Sequence, residues 1–444
     1  MRLPKPNSRI EKYQKYLGDG VQFSKLPKPD SRPEKYLYAQ CVEKNLKSGL
    51  LKDKGTLLVG AFNAADWVLN GCTVTDNPNT PEGVGSCIEL TQAQQYANIS
   101  KAVDFDISDM NVLGFWIWIE NPLSLASFVM RLSGSTTASD ISNCYATPAL
   151  FPSDKLSEGW NYIKMLKNKL TKVGTPLDRI RTVVLETSWV TNYYDYNWNV
   201  TTTPVTHLKF RFGGLWKNPR GTGAKVLLTF DSAGAEFKTV ADMMIAKNMR
   251  GSIYNKVIDF VNKTTVLSKS ILDDLYYNKD WDICNDTWSR LGVFATLTNQ
   301  QITEELQKGI DGMLEVGYSR GALHGASPTN QTDNTSLAII KSLGFKTFRG
   351  GKGRPFNQFV VSNKETGLLN YPIRQIGSTT TQQNIVDWLN EAMMLETPIC
   401  IFGHGAMTTP TSYYATPAIW QFLINQIAAR GLETPTISEF YDSI

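Results

Sequence analysis

Val226-Leu227-Leu228-Thr229-Phe230, ending on Asp231-Ser232, is the stretch from which the fold of the C-terminal half can be read. A short apolar run closed by polar residues is a buried strand. Glu236 to Ala246 follows at once with helical spacing of Phe237, Val240, Ala241 and Met244. Outward from there, strand-like segments at 251–258, 281–287, 345–350 and 397–404 alternate with helix-like segments at 268–280, 298–317, 334–344, 380–395 and 416–431. Such alternation predicts parallel strands joined by crossover helices, in an α/β barrel or an open sheet.

The 444 residues are enough for two or three domains, and 42% apolar content with 11% aromatics can fill their cores. A net charge of +4, with no basic run, argues against nucleic acid as a partner. No apolar window reaches the ~18 residues of a membrane span. The first residues are charged and carry prolines, unlike a secretory signal, so synthesis and folding in a cytoplasm are expected. Six cysteines are widely spaced. Cys72 and Cys87 flank a loop-like stretch and could pair, but buried free thiols are the preferred reading. With only His207, His324 and His404 present, a zinc site built on several histidines is nearly excluded.

Residues 1–50 contain an internal repeat. Leu3-Pro4-Lys5-Pro6-Asn7-Ser8-Arg9-Ile10-Glu11-Lys12-Tyr13 returns as Leu26-Pro27-Lys28-Pro29-Asp30-Ser31-Arg32-Pro33-Glu34-Lys35-Tyr36, identical at nine of eleven positions. Each copy predicts an extended Pro-rich entry followed by a capped short helix. Units this short bury little by themselves and should order against another surface. The repeat resembles the duplicated N-terminal peptides of tail, baseplate and fibre proteins in bacteriophages of Gram-positive hosts. The resemblance implies a virion anchor carried by Pro4, Pro6, Arg9, Tyr13, Pro27, Pro29, Arg32 and Tyr36.

From 51 to 220, short β-type runs such as Thr56–Val59, Val112–Ile119, Ser127–Leu132, Ile180–Leu185 and Thr206–Phe212 are separated by Asn, Gly, Pro and Ser clusters. This predicts an antiparallel β-sandwich. Asp66-Trp67 and Gly159-Trp160-Asn161 give it the look of a carbohydrate-binding jelly roll. Trp189, Tyr193, Tyr194, Tyr196 and Trp198 crowd a polar loop, and aromatic faces stack on sugar rings. Trp189, Tyr194, Tyr196 and Trp198, with Trp288 further on, are therefore the candidate glycan-binding residues; an edge hairpin packed on the sandwich is the competing reading of the loop.

From 221 to 444 the chain resembles the polysaccharide deacetylases of the NodB-homology family, distorted (β/α) barrels with five motifs in fixed order. Thr229-Phe230-Asp231-Ser232 matches the first motif, keeping the catalytic-base position at Asp231 but placing Ser232 where the family has a metal-ligating Asp. Cys284-Asn285-Asp286-Thr287-Trp288-Ser289-Arg290 matches the HxxxH motif with both histidines replaced, by Asp286 and Arg290. Arg320 stands near the third motif, which implies that it orients the Asp231 carboxylate. Phe348-Arg349 falls at the normally acidic fourth motif, and Cys400 to His404 matches the fifth, whose His is a general acid. The resemblance thus makes Asp231, His404 and Arg320 vestigial catalytic candidates. His324 reads as a loop residue and His207 as structural.

Divalent-metal chemistry is not expected of this set. An arginine does not deprotonate in proteins, and like charges ~4 Å apart repel by about 4 kcal/mol per unit charge at an effective dielectric of ~20. Asp286 and Arg290, four residues apart, are placed to form an ion pair, with Asp231 sharing the arginine. The expectation is a multidomain virion protein (tail, fibre or baseplate) with no cofactor. It would be made in the host cytoplasm, homo-oligomeric, attached to other virion proteins through its repeats, and bound to host surface polysaccharide without nucleic acid or membrane insertion. The alternative is an active polysaccharide deacetylase or esterase, with zinc held by an unusual set such as Asp231 with Asp286.

Overall fold

The computed structural model describes residues 51–444 except 54, 61, 81–85, 93, 121–124, 138–139, 150–158, 190–207, 222, 232–233, 263–266, 331, 333, 351–370 and 372. The N-terminal repeat lies outside the described residues, as do His207 and the aromatic loop with Tyr194, Tyr196 and Trp198. Trp189 closes a strand, and its side chain is outside them too.

The strands of the first region are β1 (Leu51–Asp53), β2 (Thr56–Val59), β3 (Val68–Asn70), β4 (Thr73–Asn77), β5 (Cys87–Gln92), β6 (Tyr96–Asp106), β7 (Val112–Ile119), β8 (Leu125–Ser133), β9 (Cys144–Ala146), β10 (Gly159–Leu166), β11 (Thr171–Val173), β12 (Arg179–Trp189), β13 (Leu208–Lys217) and β14 (Arg220–Gly221). β1 pairs with β14, and the other twelve form two six-stranded antiparallel sheets, β10-β7-β13-β5-β4 with β2 on β13, and β11-β9-β8-β12-β6-β3. Strand β7 shows why they pack. Its Leu113, Phe115, Ile117 and Ile119 point inward against Phe128, Met130 and Leu185 of the other sheet, as a two-residue period demands. Its Trp116 points outward into a cluster with Tyr162 and Trp216. The thiols of Cys72 and Cys87 are free rather than paired; Cys87 donates to the Asn77 carbonyl.

The second region holds seven parallel strands, β15 (Val226–Asp231), β16 (Ser252–Asn255), β17 (Asp282–Asn285), β18 (Gly321–Ala326), β19 (Thr347–Arg349), β20 (Arg374–Gln375) and β21 (Ile399–Gly403), in the order β19-β18-β17-β16-β15-β21-β20. A parallel bridge between Arg349 and Tyr371 brings the end of β19 to the chain entering β20. The sheet therefore curls into a distorted barrel. Its strands alternate cleanly. Val226, Leu228 and Phe230 face the outer helices, while Leu227, Tyr254, Cys284, Cys400 and Phe402 fill the interior. The helices are α1 (Ala235–Ile245), α2 (Val257–Val261), α3 (Lys269–Asp273), α4 (Asn299–Glu315), α5 (Asn334–Ser342), α6 (Gln382–Leu395), α7 (Pro417–Ala429) and α8 (Ile437–Ser443). Thr298, Thr381 and Thr436 each close a capping box on the helix that follows, which satisfies otherwise orphaned amides. Among the described residues no helix is long and apolar enough to cross a membrane.

The two regions meet at the end of α6. Val112 and Leu166 pack on Leu395, and Arg220 pairs with Glu396 at 2.8 Å. The fully buried Lys164 donates to the Leu395 carbonyl. Burial pushes its ammonium down to about 8, because desolvation penalises the charged form.

Candidate functional site

The carboxyl ends of barrel strands are where loops can converge on a ligand, and here four charged side chains converge. Asp231 ends β15 and lies on the same inward face as Thr229, two residues earlier. Arg349 ends β19, wholly buried, with its guanidinium between the rings of Tyr254 (4.6 Å) and Phe402 (4.8 Å). Its Nη2 donates to Asp231 Oδ1 and its Nη1 to Thr229 Oγ1 at 3.1 Å. Burial opposes the charge of Arg349, but the Asp231 carboxylate outweighs it and holds the guanidinium more firmly protonated than usual.

The second pair comes from the loop after β17. Asp286 is fully buried and Arg290 is 28% exposed at its side chain. Arg290 Nη2 pairs with Asp286 Oδ2 and lies 3.7 Å from Asp231 Oδ2. The pairing expected from the four-residue spacing is therefore present. Burial pushes the Asp286 carboxyl up to about 7, with Arg290 opposing the rise. The loop carries two left-handed residues, Thr287 (φ 58°) and Arg290 (φ 54°). This conformation is costly for a β-branched threonine. Three contacts offset that cost. Ser289 N–H and Oγ donate to the two carboxylate oxygens of Glu305 on α4, both at 2.8 Å, and Arg290 N–H donates to Thr287 Oγ1 at 3.1 Å.

His404 follows β21 and stands among the rings of Phe402 (5.4 Å), Tyr413 (5.3 Å) and Tyr414 (5.7 Å). Burial lowers its proton affinity, with nearby Asp231 opposing. Its Nδ1 is buried without a hydrogen-bond partner among the described residues, and so is Asp286 Oδ1.

The divalent ion that the deacetylase resemblance implies does not fit this arrangement. Both oxygens of Asp231 face guanidinium groups, and the two histidine positions hold Asp286 and an arginine. Two fixed cations stand where a dication would need ligands. Among the described residues there is no group of three or more His, Cys, Asp or Glu placed to hold a metal. What the mouth does offer is donors: the partly exposed side chain of Arg290 and the imidazole of His404, walled by Tyr413 and Tyr414.

Arg320 corrects the sequence reading. It precedes β18 and so lies at the amino end of the barrel, away from Asp231. Its Nε donates to Asp282 Oδ1 (3.3 Å) and its Nη2 to the Tyr276 and Trp281 carbonyls (2.7 and 2.8 Å). The arginine that grips the base-position carboxylate is Arg349. Arg349 stands two residues after Thr347 on β19 and so shares its inward face, but nothing in the sequence ties it to Asp231. His324 is also misread as a loop residue. It is buried on β18, with Nδ1 2.9 Å from Thr347 Oγ1. Trp288 is only partly buried, and its ring rests against Gly312 of α4 and the apolar cluster there rather than standing free at the mouth.

No protein-family model matches the chain. No curated protein matches it in sequence. Solved structures similar to it include a family 4 carbohydrate esterase from Streptomyces lividans in complex with acetate, at 13% identity over 49% of this chain and 93% of that one, TM-score 0.34. A family 4 acetyl xylan esterase from Clostridium thermocellum in complex with a cobalt ion is similar at 19% identity over 49% and 90%, TM-score 0.35. A mutant of a CE4 family pseudoenzyme with restored enzymatic activity is similar at 11% identity over 50% and 69%, TM-score 0.33.

Proposed function

We propose that the barrel mouth of this protein binds a host-surface polysaccharide without hydrolysing it, and that the chain is a virion component which uses the barrel and the sandwich to recognise that glycan. The observation that carries the non-catalytic reading is Arg290, which bridges Asp286 and Asp231 where the deacetylase resemblance puts metal ligands. Two carboxylates and two guanidiniums leave the mouth near neutrality while keeping hydrogen-bond donors for acetamido and hydroxyl oxygens. The virion assignment is supported by the duplicated N-terminal peptide, which would tether the chain, as a homo-oligomer, to other virion proteins. The sandwich, with its jelly-roll strand pattern, would supply a second glycan-binding surface through Trp189 and the loop bearing Tyr194, Tyr196 and Trp198.

The test is to incubate the full chain with an N-acetylated cell-wall or capsular glycan, with and without Zn²⁺, and to follow acetate release and retained glycan together. Glycan is expected to be retained and acetate absent. Release that Zn²⁺ raises and Asp231→Asn removes would overturn the reading in favour of an active deacetylase. Deleting residues 1–40 should abolish incorporation into virions; particles that still contain the truncated chain would remove the anchor.

A further inference from the structure

Away from the barrel mouth, a cavity of about 370 Å³ opens where the sandwich meets α6. Its floor is apolar, made by the buried Tyr145 and Leu170. Met394 of α6, 50% exposed, forms the wall on the barrel side. Its polar lining comes from Asn111, Asn168, Lys167 and Lys172. No acidic side chain lines it among the described residues. The strand register explains the placement. Lys172 of β11 lies directly opposite Tyr145 of β9, so the two side chains stand on one face of the sheet. Lys167 is held over the same ring, 5.6 Å from its centroid, while it donates to the Ile107 carbonyl at 2.7 Å.

We propose that this cavity is a saccharide site for a sugar residue bearing a carboxylate or a phosphate. A sugar presents an apolar C–H face and a rim of hydroxyls, which calls for an aromatic and aliphatic floor with amide groups at the edge. Two lysines without an acid add a requirement for negative charge, and an ammonium serves as a point-charge partner for either anion. The volume lies near the small end of the range for ligand pockets and suits one sugar residue rather than a chain. Because Met394 comes from the barrel and the other lining residues come from the sandwich, the site is complete only when the two regions are docked.

The experiment is a titration of the full chain with glucuronic acid, glucose 1-phosphate and glucose, followed by ligand-observed NMR. Saturable binding of one or both charged probes, with glucose much weaker, is expected, and which charged probe binds better separates the carboxylate from the phosphate source. Lys172→Glu should weaken it about tenfold or more, the loss of one charge-assisted hydrogen bond. Asn168→Ala should weaken it less. No binding of either charged probe, equal binding of glucose, or indifference to Lys172→Glu in a variant of unchanged circular dichroism would overturn the proposal. Loss on Arg290→Ala with Lys172→Glu unaffected would do the same, by assigning the binding to the barrel mouth.

Discussion

The two ends of the barrel each hold an aspartate paired with an arginine, and they hold them differently. At the amino end, Asp282 accepts from Arg320 Nε and from the Ser438 N–H that opens α8, while Arg320 Nη2 donates to the Tyr276 and Trp281 carbonyls. At the carboxyl end, Asp231, Arg349, Asp286 and Arg290 form a chain of charges that leaves Asp286 Oδ1 and His404 Nδ1 buried without hydrogen-bond partners among the described residues. The loop that brings Arg290 there sits in a costly backbone conformation. At the amino end both oxygens of Asp282 find donors, as a pair that serves stability requires. At the carboxyl end, the buried atoms left unmatched among the described residues are what the proposed ligand-binding reading would account for.

Removing the carboxylate from each end in turn should have the largest effects. Asp231→Ala strands the fully buried Arg349, so a loss of about 3–5 kcal/mol is expected, the usual cost of leaving a buried charge uncompensated. Asp282→Ala should cost less, because Arg320 is 37% exposed and keeps two carbonyl acceptors. Thermal or denaturant unfolding of the two variants checks the order. If Asp282→Ala proves the more damaging, the carboxyl end is not the electrostatically critical one.

Much of this arrangement was legible in the sequence. The alternation that starts at Val226–Phe230 gives the strands and helices of the barrel, since buried parallel strands and amphipathic helices have different periods. The Asp286–Arg290 pair was legible because four residues is a contact distance in a tight turn or helix. Arg349 was not, because its partner Asp231 lies 118 positions away and only closure of the barrel brings them together. Arg320 was misplaced for a related reason. A motif match gives order along the chain, while the end of the barrel a side chain occupies depends on whether it precedes or follows its strand. The cavity beside Lys172 was invisible, since its wall comes from two regions more than 200 positions apart.

A second test uses pH. In the folded protein the Asp286 carboxyl holds its proton up to about 7, against ~3.9 in an unfolded chain. A folded value raised in this way adds stability at low pH that is lost as pH rises through it. The wild-type decline should therefore level off above about 7. In Arg290→Gln the closest cation is gone and the folded value rises further. Its decline should then continue above pH 7, at up to ~1.4 kcal/mol per pH unit while the carboxyl titrates. Melting temperatures of both proteins across that range check it, and parallel curves would mean that Arg290 does not set the charge state of Asp286.

The smallest expected effect separates a ligand site from a stability site most cleanly. Tyr413 is 56% exposed and touches His404 at ring-contact distance. Tyr413→Ala removes no buried group of consequence, so its stability should stay within about 0.5 kcal/mol of wild type. If the mouth holds a sugar, the same change removes an aromatic wall worth roughly 1 kcal/mol. Glycan affinity should then fall severalfold while unfolding is unmoved. A substitution that left both untouched would detach Tyr413 from the site, and the unpartnered Nδ1 of His404 would have to find its ligand without an aromatic wall beside it.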